Sequence, residues 1–276
     1  MNTRKLSIVL STQAAQFEAV AYKGDLEANL AKIASWGYDG VELAIRDPDM
    51  VDVDKLIKSL AKERLSVPAI GTGQAWGEER LSFTSDDSAV RRAAVERIKR
   101  HIFLAERLKA NVIIGLIRGI TPKGQSHSQS IQYLIQSLRE CLDFAVSKGV
   151  RLALEPINRY ETDLVNTTNE ALDLIEQVGS EDLGMLLDTF HMNIEEPVIE
   201  DSIQACGKRI FHFHVADSNR KYPGGGHLDF KSILTILYST GYRSWVSGEF
   251  IPDPDPDTAA LRSINYLKQI IFKERE

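Results

Sequence analysis

Short apolar runs alternate with segments of helical periodicity along the whole chain, and this alternation constrains the fold more than any other feature. Most of the runs are apolar nearly throughout, which is typical of parallel strands that are covered on both faces. The eight runs are Leu6–Ser11, Gly40–Ala44, Ser66–Gly71, Asn111–Ile117, Val150–Glu155, Gly184–Asp188, Ile210–Val215 and Trp245–Glu249. The sequence therefore predicts eight parallel strands.

The segments between these runs place apolar residues on one helical face. Predicted helices cover Asp25–Trp36, Ala89–Leu108, Ser128–Ser147, Asn169–Val178, Phe230–Tyr238 and Thr258–Ile271. Alternating strands and helices favour an α/β fold, a closed (β/α)8 TIM barrel that forms a single domain over residues 1–276. An open doubly wound sheet is the alternative, and it is weakened because no Gly-x-Gly-x-x-Gly motif follows the first run.

Composition argues against several classes of partner. The formal net charge is −6 and no block of five like charges occurs, so we expect neither nucleic acid nor a membrane as a partner. No apolar stretch reaches the ~18 residues of a membrane span, and Met1–Lys5 lead into the first run without an apolar signal segment. Cys141 and Cys206 are expected to be reduced thiols. A soluble cytoplasmic protein is the expectation.

Four residues that can bind a metal stand at or near the far ends of the last four runs. Glu155, Asp188, His214 and Glu249 are spaced by 33 residues (155 to 188), 26 (188 to 214) and 35 (214 to 249), each about one strand–helix repeat. In a barrel, the carboxyl ends of the strands meet at one rim. Three carboxylates and an imidazole gathered there would repel or be costly to bury unless a cation joined them. The pattern predicts a divalent metal site, and the alternative is that each carboxylate caps a helix or pairs with a basic side chain.

Three oxygen donors and one nitrogen donor make a predominantly hard ligand set. Such a set suits Mn²⁺, Mg²⁺ or Co²⁺ with open positions for a substrate, and it suits Zn²⁺ less well. The ligand types alone do not choose among the first three ions.

The segments around these residues resemble the signatures of a known family. They read Glu155-Pro-Ile-Asn-Arg-Tyr-Glu161, Asp188-Thr-Phe-His-Met-Asn193, His212-Phe-His-Val-Ala-Asp-Ser-Asn-Arg220 and Gly248-Glu249. The chain resembles the xylose isomerase-like TIM barrel sugar isomerases and epimerases, and is most similar to the ketose 3-epimerases of the D-tagatose and D-psicose 3-epimerase group. Gly71–Gln74 and Ile114–Gly119 are also similar to the 5-keto-L-gluconate epimerase type.

The resemblance implies roles for particular residues. Glu155, Asp188, His214 and Glu249 would be the metal ligands, with Mn²⁺ as the first expectation and Mg²⁺ or Co²⁺ as alternatives. Glu155 and Glu249 would also be the catalytic proton-transfer pair. The residues implied to bind the oxygens of a sugar are Glu161, His191 and Arg220.

The activity implied is a metal-dependent epimerisation of a ketose or keto-sugar acid. One carboxylate removes the α-proton, a metal-stabilised cis-enediolate forms, and a second carboxylate returns a proton to the other face. The partner would be a small sugar or sugar acid, and family likeness also implies a homo-oligomer, a dimer or a tetramer.

Two interpretations apply to each of three further residues. Arg118 and Lys123 follow the fourth run and are candidates for binding a substrate carboxylate or phosphate, although an ordinary solvated basic loop explains them as well. His227 lies in a glycine-rich loop and contacts either the substrate or only the start of a helix. We expect His212 to point away from His214 and to be a hydrogen-bonded core histidine.

Other functions remain open at this point. An aldose–ketose isomerase acting on a sugar or sugar phosphate uses related enediol chemistry. A metal-dependent endonuclease of abasic DNA belongs to the same superfamily, but six histidines and a net charge of −6 argue against several zinc ions and a basic groove. A non-catalytic sugar-binding module would not need two carboxylates beside a metal.

Overall fold

Eight parallel strands close into a barrel in chain order in the computed structural model, which describes residues 4–13 and 16–272. The ring is closed where β1 pairs with β8, with Ser7 opposite Ser247, and β1 also pairs with β2, with Val9 opposite Glu42. The predicted (β/α)8 barrel is confirmed and the open sheet is excluded. Residues 1–3, 14–15 and 273–276 lie outside the described residues. They include most of Met1–Lys5, for which no signal segment is predicted, and the end of the predicted domain.

The observed strands agree with five of the predicted runs to within one residue at each end, and the other three strands, β3, β4 and β5, are each three residues shorter than predicted. The eight strands are β1 Lys5–Ser11, β2 Gly40–Ala44, β3 Ala69–Gly71, β4 Asn111–Ile114, β5 Leu152–Leu154, β6 Leu183–Asp188, β7 Ile210–Val215 and β8 Trp245–Gly248. Strand β4 ends at Ile114, three residues before its predicted end, because Leu116–Arg118 form a turn of 3-10 helix. Strand β3 begins at Ala69 rather than Ser66, since Pro68 precedes it and cannot donate to a strand ladder.

Ten α-helices lie within the described ranges, one or two after each strand. They are α1 Leu26–Ser35, α2 Val53–Glu63, α3 Gln74–Glu79, α4 Ser88–Leu108, α5 His127–Ser147, α6 Thr168–Val178, α7 Thr189–Glu195, α8 Ile199–Cys206, α9 Phe230–Ser239 and α10 Pro256–Phe272. The six predicted helices are confirmed with small shifts at their ends. Among the described helices, none combines the length and apolarity that crossing a membrane requires.

Local sequence explains where the helices begin and end. The side chain of Asp25 caps α1 by accepting from the N–H of Ala28, and Thr167 with Glu170 forms a capping box at the start of α6. Helix α6 ends at Gly179, whose φ of 79° lies in the left-handed region that glycine adopts without a penalty. The capping box therefore fixes the end of the loop that follows β5, and Gly179 begins the turn that leads into β6.

The interior of the barrel is apolar on one side and polar on the other. Ala69, Ile113, Ala153, Leu186 and Phe211 form a small apolar cluster of their own across β3 to β7. On the other side, β2 and β7 direct Glu42, His212 and His214 inward, where all three are buried. Buried ionisable groups are costly unless they bind one another or a ligand, so the polar side of the interior requires a functional explanation.

Candidate metal centre and active site

The four predicted metal ligands come together at the carboxyl-terminal rim of the barrel. Glu155 directly follows β5, Asp188 ends β6, His214 lies in β7 and Glu249 directly follows β8. One donor atom from each residue lies within 4.8 Å of the others. Nδ1 of His214 is 3.6 Å from a carboxylate oxygen of Asp188 and 3.6 Å from one of Glu249. This is a compact cluster of three oxygen donors and one nitrogen donor.

Two donor atoms of this cluster are buried without a partner. Oδ1 of Asp188 caps α7 by accepting from the N–H of Phe190 at 2.7 Å, whereas Oδ2 has no hydrogen-bond partner within the described ranges. Nδ1 of His214 is likewise unpartnered among the described residues. Because unpaired buried polar atoms are costly, both observations indicate that a ligand completes the cluster. The donor set fits a hard divalent cation.

The pKa shifts of the clustered residues also favour binding of a cation. Burial, followed by the negative charge of Glu249, raises the pKa of Glu155 well above its ordinary value. Burial also raises the pKa of Glu249. Burial opposes protonation of His214, but the carboxylates of Glu42 and Glu249 outweigh it and raise the pKa of His214. In the absence of a cation, the cluster therefore holds protons that a cation would displace.

Glu42 is a site residue that our sequence reasoning missed. Its buried carboxylate accepts from Nε2 of His212 at 2.7 Å and from Nε2 of His214 at 2.8 Å. Burial opposes ionisation of Glu42, yet the two imidazoles lower its pKa below the ordinary value. With Nε2 of His214 donating to Glu42, Nδ1 is left to face Asp188 and Glu249 as a metal ligand. The signal that could have found Glu42 is a single acidic residue in the middle of an apolar run.

His212 corrects one expectation. We expected it to point away from His214, but both imidazoles contact the same carboxylate. The expectation was wrong because side chains two residues apart on a strand share a face. The expectation that His212 is a hydrogen-bonded core histidine agrees with its contact with Glu42 and its complete burial. Glu42, His212 and His214 also offer donor atoms within 4.8 Å of one another, but direct hydrogen bonds already join them.

A second group of residues lies beside the cluster of four candidate metal ligands. Oδ1 of Asn158 accepts from the N–H of Tyr160 at 3.0 Å, which fixes the orientation of the amide, and its Nδ2 donates to Nδ1 of His191 at 2.8 Å. The proton of a neutral His191 is therefore on Nε2, which lies 3.7 Å from Glu155. Burial lowers the pKa of His191 to about 4, so the imidazole is neutral near pH 7.

Glu161 and Arg220 complete this group. The guanidinium of Arg220 donates to Glu161 at 2.8 Å, and it lies over the rings of Phe17 and Phe190 at 5.1 and 4.7 Å. Arg220 has a φ of 60°, an uncommon conformation for a residue with a side chain. Strained residues of this kind cluster at functional sites.

Arg118 has a different role from the one expected. Its side chain is completely buried, and its guanidinium donates to the backbone carbonyls of Gly115, Glu155, Leu164 and Val165. It is absent from the described residues that line the cavity, and its donors are engaged. The substrate-binding role is therefore corrected: Arg118 holds the backbone of Glu155 and of the loop that follows β5. The shorter β4 explains this, because the 3-10 turn directs Arg118 inward.

His227 and Lys123 also lie away from the cavity. His227 is exposed, and its Nδ1 contacts the hydroxyl of Ser218 at 2.9 Å. Lys123 is exposed, and neither residue lines the cavity as the described residues define it. The substrate-binding prediction for His227 is corrected, since its ring is used to hold the loop between Asp217 and Leu228. Asp217 organises the same loop by accepting from the N–H groups of Ser218, Gly224 and Leu228.

A cavity of about 300 Å³ opens above the cluster and is of a size that suits a small molecule. Glu155, Glu161, His191, His214, Arg220 and Glu249 line its polar side. Phe17, Val20, Leu116 and Ile157 line an apolar side. The cavity thus brings together a cluster of side chains that could bind a metal, two hydrogen-bond donors and an apolar wall around one small volume.

Comparison with known proteins agrees with this arrangement. The family described as xylose isomerase-like TIM barrel matches residues 30–270. The chain is 30% identical to L-ribulose 3-epimerase of Methylomonas sp. (strain DH-1), over 91% of this chain and 95% of that protein. It is 27% identical to hydroxypyruvate isomerase of Escherichia coli (strain K12), over 86% and 92% of the two chains. The crystal structure of D-allulose 3-epimerase from Methylomonas sp. in complex with D-allulose superposes with a TM-score of 0.82 at 26% identity, covering 96% of each chain.

Proposed function

Since the chain belongs to the xylose isomerase-like TIM barrel family, we propose that it is a divalent-metal-dependent isomerase that epimerises a ketose. The observation that carries this proposal is the cluster of Glu155, Asp188, His214 and Glu249. It holds two donor atoms without a partner among the described residues, and three of its four members line a small cavity. The similarity to ketose 3-epimerases supports epimerisation, and inversion at carbon 3 is the first reaction to test.

Glu155 and Glu249 are the proposed proton-transfer pair. They follow β5 and β8, which are not neighbours in the barrel, so the two carboxylates reach the cavity from different strands. One carboxylate, ionised at the start, takes the proton from the carbon next to the ketose carbonyl. The other begins as a carboxylic acid and gives its proton to the opposite face of the same carbon, which inverts the centre. A bound cation keeps its carboxylate ligands ionised, and burial, which raises the pKa of both groups, opposes this effect and favours the protonated form that the second step needs.

The cluster fits a divalent cation, for which Mn²⁺ is our first choice and Mg²⁺ or Co²⁺ are alternatives. When bound by Glu155, Asp188, His214 and Glu249, it would supply Lewis-acid stabilisation of the negative charge on the enediolate. The role of Asp188 and His214 is to hold the cation in place. The role of Glu42 is to keep Nε2 of His214 protonated and Nδ1 available.

His191 and Arg220 are proposed to hold the oxygens of the sugar. Nε2 of His191 carries a proton and faces Glu155, so it can donate to a substrate oxygen without a positive charge of its own. Arg220 lines the cavity and is held by Glu161, which leaves its other N–H groups available. Glu161 acts in this proposal by orienting Arg220 and by accepting from a sugar hydroxyl.

The charges around the cavity favour an uncharged ketose over a phosphorylated or carboxylated one. Among the described lining residues, five are glutamates and Arg220 alone carries a permanent positive charge. Arg118, which could have bound an anion, is instead bound to backbone carbonyls. A substrate phosphate or carboxylate would meet five carboxylates and a single guanidinium that is already paired with Glu161, and this is costly. We therefore propose a free ketose as the substrate.

An aldose–ketose isomerase is the second candidate, and the similarity to hydroxypyruvate isomerase favours it. It would use the same carboxylates but return the proton to the neighbouring carbon. For the abasic-site endonuclease, the described residues form two candidate metal groups that share His214, rather than several separate sites. The expected homo-oligomer, a dimer or a tetramer, stays a prediction that light scattering on the eluted protein can test.

The test is a ketose panel followed by NMR. Protein treated with a chelator is offered free ketoses, ketose phosphates and keto-uronates with and without added Mn²⁺ or Co²⁺. We expect turnover of a free ketose that requires the metal and yields a product inverted at one carbon. Full turnover by the metal-free protein would refute the proposed mechanism. An aldose product would favour the isomerase, and turnover of phosphates alone would refute the free-ketose assignment.

A further inference from the structure

Gln74 lines the cavity and carries a buried hydrogen-bond acceptor that has no partner among the described residues. It is the first residue of α3, directly after the β3 loop, and its side chain lines the cavity although only 7% of the residue is exposed. Its Nε2 donates to the hydroxyl of Ser11 at 2.9 Å. Its Oε1 is buried without a hydrogen-bond partner in the described part of the chain. A buried acceptor in this state destabilises the fold unless something donates to it.

The orientation of the Gln74 amide is fixed by its neighbours. The hydroxyl proton of Ser11 is directed to the carbonyl of Gln13 at 2.6 Å, and that carbonyl can only accept. The hydroxyl oxygen of Ser11 must therefore accept from Gln74, so the atom of the amide that faces Ser11 is the nitrogen. Turning the amide over would place Oε1 against an oxygen that has no proton to offer. Oε1 is consequently the atom left without a partner.

The position of Gln74 places this acceptor away from the metal cluster. Strand β3 is four strands from β7 in the eight-stranded ring, so Gln74 lies across the barrel from His214. The cavity wall on this side includes the apolar residues Phe17, Val20 and Leu116. Glu42 and Glu78 also line the cavity, from β2 and α3, but their carboxylates already bind His214 and Arg46. An acceptor that is not yet bound gives strong discrimination, because a ligand without a donor at that point leaves Oε1 of Gln74 unpaired.

We propose that Gln74 is a specificity-determining residue that accepts a hydrogen bond from one hydroxyl on the part of the ketose remote from the cation. This inference rests on the proposed function, since it takes the ligand of the cavity to be a ketose. Ser11 is a positioning residue in this arrangement, because it holds Nε2 and thereby directs Oε1. A deoxy carbon at the matching position cannot donate and would be selected against.

The test combines a change in the protein with a change in the substrate. Wild type and Gln74→Met are compared on the best ketose and on its mono-deoxy analogues that lack one hydroxyl at carbon 4, 5 or 6. Methionine has a similar volume and no strong acceptor. We measure kcat/KM for each pair, and by calorimetry the Kd of each sugar. Gln136→Met, on the exposed face of α5, is the matched control.

In the wild type, one analogue should lose about tenfold or more in kcat/KM and in affinity, which corresponds to one unpaired buried acceptor. In Gln74→Met the parent ketose should fall to the level of that analogue, so that the ratio between them approaches one. Gln136→Met should keep the wild-type ratio. Ser11→Ala should reduce the ratio as well, and it provides a second variant if Gln74→Met does not fold.

Two kinds of failure can be told apart. If the wild type turns over a ketose but all three analogues bind as well as the parent, the inference is overturned and the proposed function stands. The same conclusion follows if Gln74→Met keeps the full wild-type ratio. If the wild type turns over no ketose with any metal, the proposed function fails, and this inference fails with it.

Discussion

Replacing Glu42 by glutamine tests whether this buried carboxylate holds His214 in the state that binds a cation. Oε2 of this carboxylate accepts from Nε2 of His212 at 2.7 Å and from Nε2 of His214 at 2.8 Å, and Oε1 lies 3.0 Å from Nε2 of His214. Glutamine has nearly the same shape but only one acceptor oxygen. In either orientation its amide NH₂ would face Nε2 of His214, because both carboxylate oxygens contact that nitrogen. The proton of His214 is then free to move to Nδ1, where it would block metal binding.

Two estimates of the effect agree. Losing a hydrogen bond to a charged acceptor costs about 1.5–3 kcal/mol, which corresponds to a factor of roughly 10–150 in Kd at 1.4 kcal/mol per tenfold. Removing the carboxylate that orients a metal-binding histidine typically weakens metal affinity by about 10–100-fold. We therefore expect Glu42→Gln to bind Mn²⁺ about 10–100-fold more weakly than the wild type.

The assay is a calorimetric titration of Mn²⁺ into chelator-treated protein, with circular dichroism to confirm that each variant is folded. Glu78→Gln is the matched control, because Glu78 also lines the cavity but pairs with Arg46 and not with one of the proposed metal-binding residues. Its Kd for Mn²⁺ should stay close to that of the wild type. Unchanged affinity in folded Glu42→Gln would refute the reasoning. An equal loss in Glu78→Gln would show that the effect is one of general charge rather than of contact with His214.

Three further predictions follow from the site. Glu249→Gln should abolish or severely slow exchange of the ketose α-proton with D₂O followed by NMR, and normal exchange would assign the proton transfer to another group. The pKa values of Glu155 and His214 are raised in the metal-free cluster, so the cluster holds protons that a cation must displace. Mn²⁺ affinity measured by calorimetry should therefore rise between pH 6 and pH 8, and an affinity that does not change with pH would contradict this. Arg118→Met leaves four backbone carbonyls without their donor and should lower the free energy of unfolding by about 3 kcal/mol or more in urea titrations, whereas a change below about 1 kcal/mol would show that these contacts contribute little.

The barrel could be predicted from the sequence because its strands are short and apolar and its longer helices are amphipathic. Helices α3, α7 and α8 were missed, since six to eight residues give too few turns for a clear period. Helix α2 was also missed, although Leu56 and Leu60 on one face and the cap Asp52 could have indicated it. The bounds of short elements depend on tertiary packing more than on local pattern.

The metal cluster could be predicted because parallel strands bring their carboxyl ends to one rim, whatever the detail of the loops between them. The roles of Arg118 and Glu42 do not follow from this rule and could not be predicted. Arg118 was misassigned because the sequence does not show that β4 stops at Ile114 and turns its next side chains inward. Glu42 was overlooked because it lies in the middle of β2, and only the closed barrel shows that its carboxylate meets β7.

The central claim is that one divalent cation is bound by four side chains from the last four strands. Anomalous diffraction from a crystal soaked in Mn²⁺ tests it most directly. We expect a single strong peak in contact with Glu155, Asp188, Nδ1 of His214 and Glu249. No peak at this position, or a peak on the Nε2 side between Glu42 and His212, would contradict the claim.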